Sequence, residues 1–510
     1  MSQADVQEIT IELPNEAATI QFGEDLALAV RAGDCIALDG DLGAGKSTTA
    51  RALLRALADD PELEVPSPTF TLVQNYDLRL PVAHFDLYRL SDESELDELG
   101  FHDALTDGIC LVEWPEKAGR SLPKSALSIT FAFPPTRGRT ITITGPEPKL
   151  ARLQRVLDIR SFLDTDNLTS AKRRHLTGDA SSRSYEHIYP AADAPRLVLM
   201  DAPKRPNGPP IRNGKPYSQL VHLAEDVRPF VAIDRMLRDK GFSAPAILAG
   251  DNDRGILLLE DLGGDGIINA ERKPIAERYR ASVACLAAIH DTDFDHRIQL
   301  DDGYVHQIPD FDRAAMKFEV ELLLDWYLPH IRGGSEATAE ERTDYLAIWD
   351  GLIDELADCE RSIVLRDFHS PNIIWRAGET GHARVGLIDF QDAMIGPAAY
   401  DVVSLVQDAR VTVERPLMDV LLNDYVAART IRPTFNRALF KKSFAIMAAQ
   451  RACKLNGLWV RLKQRDGKPG YMSHLPRTLW HLSVAFEHPA LAPLRDWCTR
   501  AGIHAAESPT

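Results

Sequence analysis

The feature that most constrains this chain is the run Gly40-Asp-Leu-Gly-Ala-Gly-Lys46-Ser47, which fits G-x-x-x-x-G-K-[ST] at every fixed position. Such a run works only as a turn from a β-strand into a helix, because its backbone N–H groups must converge on a phosphate at the helix N-terminus. The flanks agree with that demand. Asp34 to Leu38 is a short apolar run leading into Gly40, and Lys46 to Ala58 is rich in Ala, Leu and Arg, which favour helix. A glycine-rich turn before an ordinary core helix is the competing reading, and the complete motif in this context outweighs it. Gly40, Gly43 and Gly45 are therefore expected to wrap the phosphates of ATP, Lys46 to neutralise the β and γ phosphates, and Ser47 to hold Mg2+.

The residues around the motif read as strands and helices in alternation, which predicts a parallel α/β sheet. Ile9, Ile11 and Leu13 alternate as a strand, and Val82 to Asp86 and Ile109 to Glu113 are apolar runs that each end in a carboxylate. Leu127 to Phe131 and Arg139 to Ile143 are joined by Pro134-Pro-Thr-Arg-Gly138, a hairpin signal. Acids at strand tips beside a phosphate loop suit nucleotide hydrolysis: Asp86 is expected to bind Mg2+, directly or through water, and Glu113 to orient the attacking water. Either acid alone reads equally well as a solvated strand end.

A chain of 510 residues exceeds what one hydrophobic core comfortably organises. Leu150, Leu153, Val156 and Leu157 recur at helical spacing in a charged stretch, a connecting helix, and the domain boundary is placed near residue 150. Further on, Arg366-Asp367-Phe-His369-Ser-Pro-Asn372 is followed by Gly386-Leu-Ile-Asp389. Phosphoryl transfer needs a base beside the acceptor hydroxyl and metal ligands under the phosphates, which this spacing supplies. Asp367 is expected to align or deprotonate the acceptor, and Asn372 and Asp389 to hold Mg2+. Asp401, at the start of an amphipathic stretch, reads as a helix cap, and His290 as a helix-end histidine with an ordinary partner. Upstream, Gly178-Asp-Ala-Ser181-Ser-Arg183 lies where a phosphate-covering turn belongs; Gly178, Ser181 and Arg183 are candidate nucleotide contacts. Leu257 to Gly263 reads as a hinge between two lobes. The expected fold class is α/β: a P-loop NTPase domain over 1–150, then a two-lobed protein-kinase-like α+β domain over 151–510, with an N-lobe about 157–262 and a C-lobe about 263–510.

Charge narrows the partners. Residues 1–150 hold 12 Lys and Arg against 25 Asp and Glu, so they are poorly suited to gripping nucleic acid unaided. No uncharged apolar run reaches membrane-spanning length, the first residues lack a targeting pattern, and the six cysteines form no C-x-x-C pair, so a cytoplasmic protein is expected.

Two resemblances follow from these motifs. The P-loop, Ser67-Pro-Thr69-Phe70-Thr71, His84-Phe-Asp86-Leu-Tyr-Arg89-Leu90 and Glu113-Trp114-Pro115, in that order, resemble the TsaE family. That resemblance implies an ATPase supporting a TsaB–TsaD assembly in threonylcarbamoyladenosine modification of tRNA, with Thr69 in a nucleotide-sensing segment and Trp114 near the nucleotide. Trp114 as a plain core aromatic is the alternative. The later blocks resemble the aminoglycoside phosphotransferase superfamily, and Gly178 to Tyr185 with Leu197 to Pro203 resembles its AmgK branch. This implies phosphorylation of N-acetylmuramate and N-acetylglucosamine, an amino-sugar substrate, at the anomeric hydroxyl. Two departures stand out: Met200 occupies the strand position of the phosphate-binding Lys, with Lys204 nearby, and Leu365 replaces the His two places before Asp367. They leave open a non-catalytic binding module, or a kinase for an aminoglycoside, choline or homoserine.

Overall fold

The computed structural model describes residues 8–134, 137–176, 183–191, 193–204, 206, 208–504 and 506–508. The chain divides into two compact units, Met1–Asp201 and Ala202–Thr510.

In the first unit seven strands form one sheet: β1 (Glu8–Leu13), β2 (Cys35–Gly40), β3 (Val73–Tyr76), β4 (Val82–Asp86), β5 (Ile109–Glu113), β6 (Leu127–Ala132) and β7 (Arg139–Thr144), in the order β1-β7-β6-β2-β5-β4-β3. Only its middle is parallel. β6, β2, β5 and β4 run together, while β1, β7 and β3 pair antiparallel with their neighbours. The expected parallel sheet and the hairpin of Leu127 to Phe131 with Arg139 to Ile143 are both present, with further antiparallel edges at β1 and β3. The reason is connection length: parallel neighbours need a crossover of a dozen or more residues, and the short links between β6 and β7 and between β3 and β4 permit only a hairpin. Burial follows the same division. β4 and β5 are buried at every residue, as central strands covered on both faces must be, whereas β1 alternates.

Helix Glu16–Ala29, capped by the Asn15 side chain accepting from the Ala18 N–H at 2.9 Å, packs beside helix Lys46–Ala58. The connecting helix, Glu147–Thr165, lends Leu150, Leu153 and Val156 to the core built on Phe22, Leu26, Ile36 and Leu53. After it β8 (Lys172–Leu176), β9 (Ser184–Tyr189) and β10 (Leu197–Asp201) form an antiparallel meander.

In the second unit the short helix Tyr217–Leu220 precedes helix Arg228–Asp239 and the hairpin β11 (Ile247–Asp251) and β12 (Ile256–Glu260). The rest is mainly helical, centred on the long helix Arg437–Gln464, whose residues are largely buried. Two short ladders matter for chemistry: Arg361–Val364 against Met394–Pro397, and Ile373–Trp375 against Val385–Leu387. Among the described residues no helix is long and apolar enough to cross a membrane.

Candidate active sites

The loop after β2 needs its glycines. Gly40 has φ +138° and a Cβ there would lie 2.7 Å from the Phe131 carbonyl oxygen; Gly45 has φ +119°. Gly43 also sits at positive φ. The turn delivers Lys46, 4% exposed, so that its Nζ donates to the Gly40 carbonyl at 2.6 Å and the Asp41 carbonyl at 3.0 Å. The ammonium also lies 3.7 Å from the centre of the Trp114 ring. Burial pushes the Lys46 pKa down, partly countered by Glu113, Glu116, Asp39 and Asp86.

Asp86 and Glu113 are register partners at the ends of β4 and β5, so the two carboxylates stand side by side. Both are almost fully buried. Glu113 accepts from the Ser47 hydroxyl at 2.7 Å with one oxygen, and its other oxygen lies 3.0 Å from His84 Nε2. Asp86 accepts from Ser67 at 2.6 Å and Thr69 at 2.7 Å, and from the Tyr88 N–H at 3.2 Å. The structure therefore brings Lys46, Ser47, Thr69, Asp86, Glu113 and Trp114 into one cluster. His84 escaped the sequence reading, although a signal existed: it is a polar residue two places before Asp86 on an otherwise apolar strand, hence on the same face.

In the second unit the segment around Asp367 leaves the ladder Arg361–Val364 through Arg366 at φ +73°, and Asp389 has φ +61°. Two non-glycine residues held in the left-handed region mark this loop pair as constrained from outside. Asn372 and Asp389 come together because Ile373 pairs with Leu387 across the second ladder. Asn372 Nδ2 donates to Asp389 at 3.2 Å and to the Asp367 carbonyl at 3.0 Å, and Gln391 donates to the other Asp389 oxygen at 2.9 Å. Asp367 keeps its carboxylate 38% exposed, 3.8 Å from His369 Nε2. Burial of the neighbourhood works to raise its pKa, but His369, Arg451, Lys454 and Arg366 outweigh it and hold the carboxyl below its ordinary value.

The frame behind Asp367 is built from buried acids. Asp401, wholly buried, accepts from the N–H groups of Leu365 at 2.5 Å and Arg366 at 2.9 Å, and Asp408 accepts from the Ser370 N–H at 2.8 Å. Asp401 thus corrects the reading of a helix cap: its carboxylate serves another loop's backbone, not the start of helix Ala399–Val406. Arg366 is clamped by Glu319 at 2.5 Å, which also takes Lys454 at 2.7 Å and Gln450 at 2.9 Å. Burial opposes the charge on Glu319, yet Lys454 and Arg366 bring its pKa down to about 2. His290, at the end of helix Ala276–Asp291, bonds the Tyr425 hydroxyl at 2.7 Å.

Of the upstream candidates, Gly178 and Ser181 lie outside the described residues, and Arg183 is half-buried just ahead of β9. Met200 is fully buried on β10, while Lys204 is exposed.

Comparison with known proteins meets this geometry in both segments. The family described as Threonylcarbamoyl adenosine biosynthesis protein TsaE matches residues 13–141, and that described as Phosphotransferase enzyme family matches residues 172–437. An N-acetylmuramate/N-acetylglucosamine kinase of Caulobacter vibrioides is 34% identical over 357 residues, 67% of this chain and 94% of that protein. The chain belongs to both families. Within its TsaE segment, the tRNA threonylcarbamoyladenosine biosynthesis protein TsaE of Haemophilus influenzae is 36% identical over 135 residues, 25% of this chain and 84% of that protein. The same protein of Bacillus subtilis is 41% identical over 134 residues, 26% of this chain and 81% of the relative. The TsaE segment is of an ATPase family and the phosphotransferase segment of a kinase family, so both use ATP, and the mixed α/β architecture is that of a P-loop NTPase followed by a kinase-like fold.

Proposed function

We propose that the chain carries two ATP-dependent activities: a TsaE ATPase that supports threonylcarbamoyladenosine modification of tRNA with TsaB and TsaD, and a kinase that phosphorylates the anomeric hydroxyl of N-acetylmuramate or N-acetylglucosamine in peptidoglycan recycling. The observation that carries the kinase reading is the grouping of Asp367, Asn372 and Asp389 on one rigid loop pair. An anomeric hydroxyl is more acidic than an ordinary alcohol, so an ionised carboxylate suffices as its base. Asp367 takes the hydroxyl proton as the sugar oxygen bonds the γ-phosphorus and the bond to the ADP oxygen breaks. Gly178, Ser181 and Arg183 would contact the nucleotide phosphates.

In the TsaE segment Gly40, Gly43, Gly45 and Lys46 would hold the phosphates, Thr69 would report the state of the γ-phosphate to Asp86, and Glu113 would orient water. Trp114 would border the nucleotide. The donor chemistry suits Mg2+ in both places: hard oxygens from Ser47 and Asp86, and from Asn372 and Asp389. Asn372 donates its NH2 to the Asp367 carbonyl and to Asp389, which leaves its amide oxygen as the atom that would hold a cation. Bound magnesium supplies charge neutralisation on the phosphates.

Reliance on ATP and on tRNA modification supports a cytoplasmic location, and the acidic first segment supports recruitment through proteins over direct tRNA binding. We place the functional division near residue 150, although the compact units part at 201 and 202. The kinase relatives do not favour a non-catalytic module or a different acceptor. Phosphate transfer to N-acetylmuramate by the unmodified chain and by Asp367→Asn tests the reading: equal rates from the two would overturn it.

A further inference from the structure

A buried ion cluster joins the two family segments inside the first compact unit. Asp25 stands on helix Glu16–Ala29, within the TsaE match, and Arg173 is the second residue of β8, where the phosphotransferase match begins. Arg160, on the connecting helix, grips Asp25 with two bonds of 2.9 and 2.8 Å. Arg173 donates to the same carboxylate at 3.2 Å and grips Glu186 of β9 with bonds of 2.7 and 2.9 Å. All four side chains are at most 10% exposed. The arginines also bind backbone: Arg160 donates to the Ala171 carbonyl at 2.9 Å, just ahead of β8, and Arg173 to the Val156 carbonyl at 2.9 Å. The next β8 residue, Arg174, pairs at 2.6 Å with Asp59, the C-cap of the helix that follows the P-loop.

Two positive and two negative charges withdrawn from water are tolerable only when each keeps its partners, and losing one leaves another uncompensated. Independent domains on a tether do not need such an arrangement; tethers are polar and solvated. Here the charges lock one geometry. β8 and β9 are paired in register from Lys172 with Tyr189 to Leu176 with Tyr185, so whatever fixes Arg173 and Glu186 fixes where the ends of both strands point.

We propose that Asp25, a residue of the ATPase segment, is a positioning residue for the kinase reaction, acting through Arg160 and Arg173 to set β8 and β9. It rests on the kinase reading above, in which Arg183, just ahead of β9, contacts the nucleotide phosphates. The kinase's grip on ATP therefore depends on the domain fused ahead of it.

The test uses the full chain, with N-acetylmuramate as acceptor. Asp25→Asn keeps the size of the side chain and removes its charge; the expected result is a three- to tenfold rise in KM for ATP, by about the coupling that neighbouring charged residues show, with the KM for the sugar unchanged. Glu186→Gln should do the same, and the double variant should be no worse than the more affected single one, because both act on Arg173. Asp34→Asn is the control. Asp34 holds Arg152 at 2.6 Å and Lys149 at 3.0 Å on the same connecting helix, so its loss should lower the melting temperature and leave the ATP KM alone. If Asp25→Asn does not yield folded protein, Arg160→Lys, which keeps the charge and loses the fork, gives the same readout. An active unmodified chain whose Asp25→Asn and Arg160→Lys variants melt earlier at unchanged ATP KM would reduce the cluster to a brace and overturn the proposal alone. An unmodified chain that transfers no phosphate would remove the kinase reading and the proposal together.

Discussion

Asp367 shows how a single residue is tuned by its surroundings. Burial opposes its charge, but His369, Arg451, Lys454 and Arg366 together hold its carboxyl below the usual range, as the proposed role of proton acceptor requires. Asp367→Asn should lower kcat for sugar phosphorylation by about 10²- to 10⁴-fold, the usual worth of a general base, with the ATP KM little changed. Steady-state kinetics with N-acetylmuramate would show it. In the first site His84 is buried against Glu113, and its loss frees the carboxylate to rotate. His84→Gln should slow ATP hydrolysis, measured with the proposed TsaB and TsaD partners present, by roughly ten- to a hundredfold while nucleotide affinity holds, the cost of misplacing the carboxylate proposed to orient water. Asp367, Asn372 and Asp389 were visible in the sequence because their spacing is local. Asp401 was not, since its partners are the N–H groups of residues 35 and 36 positions away, and only folding brings them to it.

Among elements, the P-loop turn is the most exacting. An alanine at Gly45 must adopt a φ of +119° and sets its methyl 3.3 Å from the Arg139 side chain. Strain of that kind costs roughly 1 to 3 kcal/mol, so Gly45→Ala should weaken nucleotide binding by about tenfold or more. Titration with a fluorescent ATP analogue measures it, and Trp114, packed on Lys46, offers an intrinsic signal. The strands at 82–86 and 109–113 and the helix at 46–58 were legible because each is apolar or helix-favouring along its own length. Helix Glu16–Ala29 and strand Val73–Tyr76 were not. The helix buries Asp25 on its inner side, a charge that makes no sense until Arg160 and Arg173 arrive, and the strand is four residues of mixed polarity that exist through pairing with β4.

For the molecule as a whole, burial of histidine sets an acid limit. His290 and His481 are held neutral, burial first and then Arg429 and Arg477 respectively lowering each pKa to about 3 from 6.5. The unfolded chain binds protons on them below 6.5 and the folded chain does not until about 3, so stability falls as pH drops through that window. Each contributes up to about 1.4 kcal/mol per pH unit. Urea unfolding at pH 6.5 and 5.5 should show the loss, and His481→Gln should make the dependence shallower. Truncation is the second whole-molecule test. A fragment spanning 151–510 strips Arg160 and Arg173 of Asp25 and exposes the face of Leu153 and Val156, so it should melt earlier than the full chain or aggregate. By itself the sequence determined the two families, because a phosphate loop, strand-tip acids and the spacing of Asp367, Asn372 and Asp389 are short-range patterns. Tertiary structure alone decided how the pieces are joined, because a buried ion cluster is assembled from residues far apart in the chain whose charges read as ordinary surface until they meet.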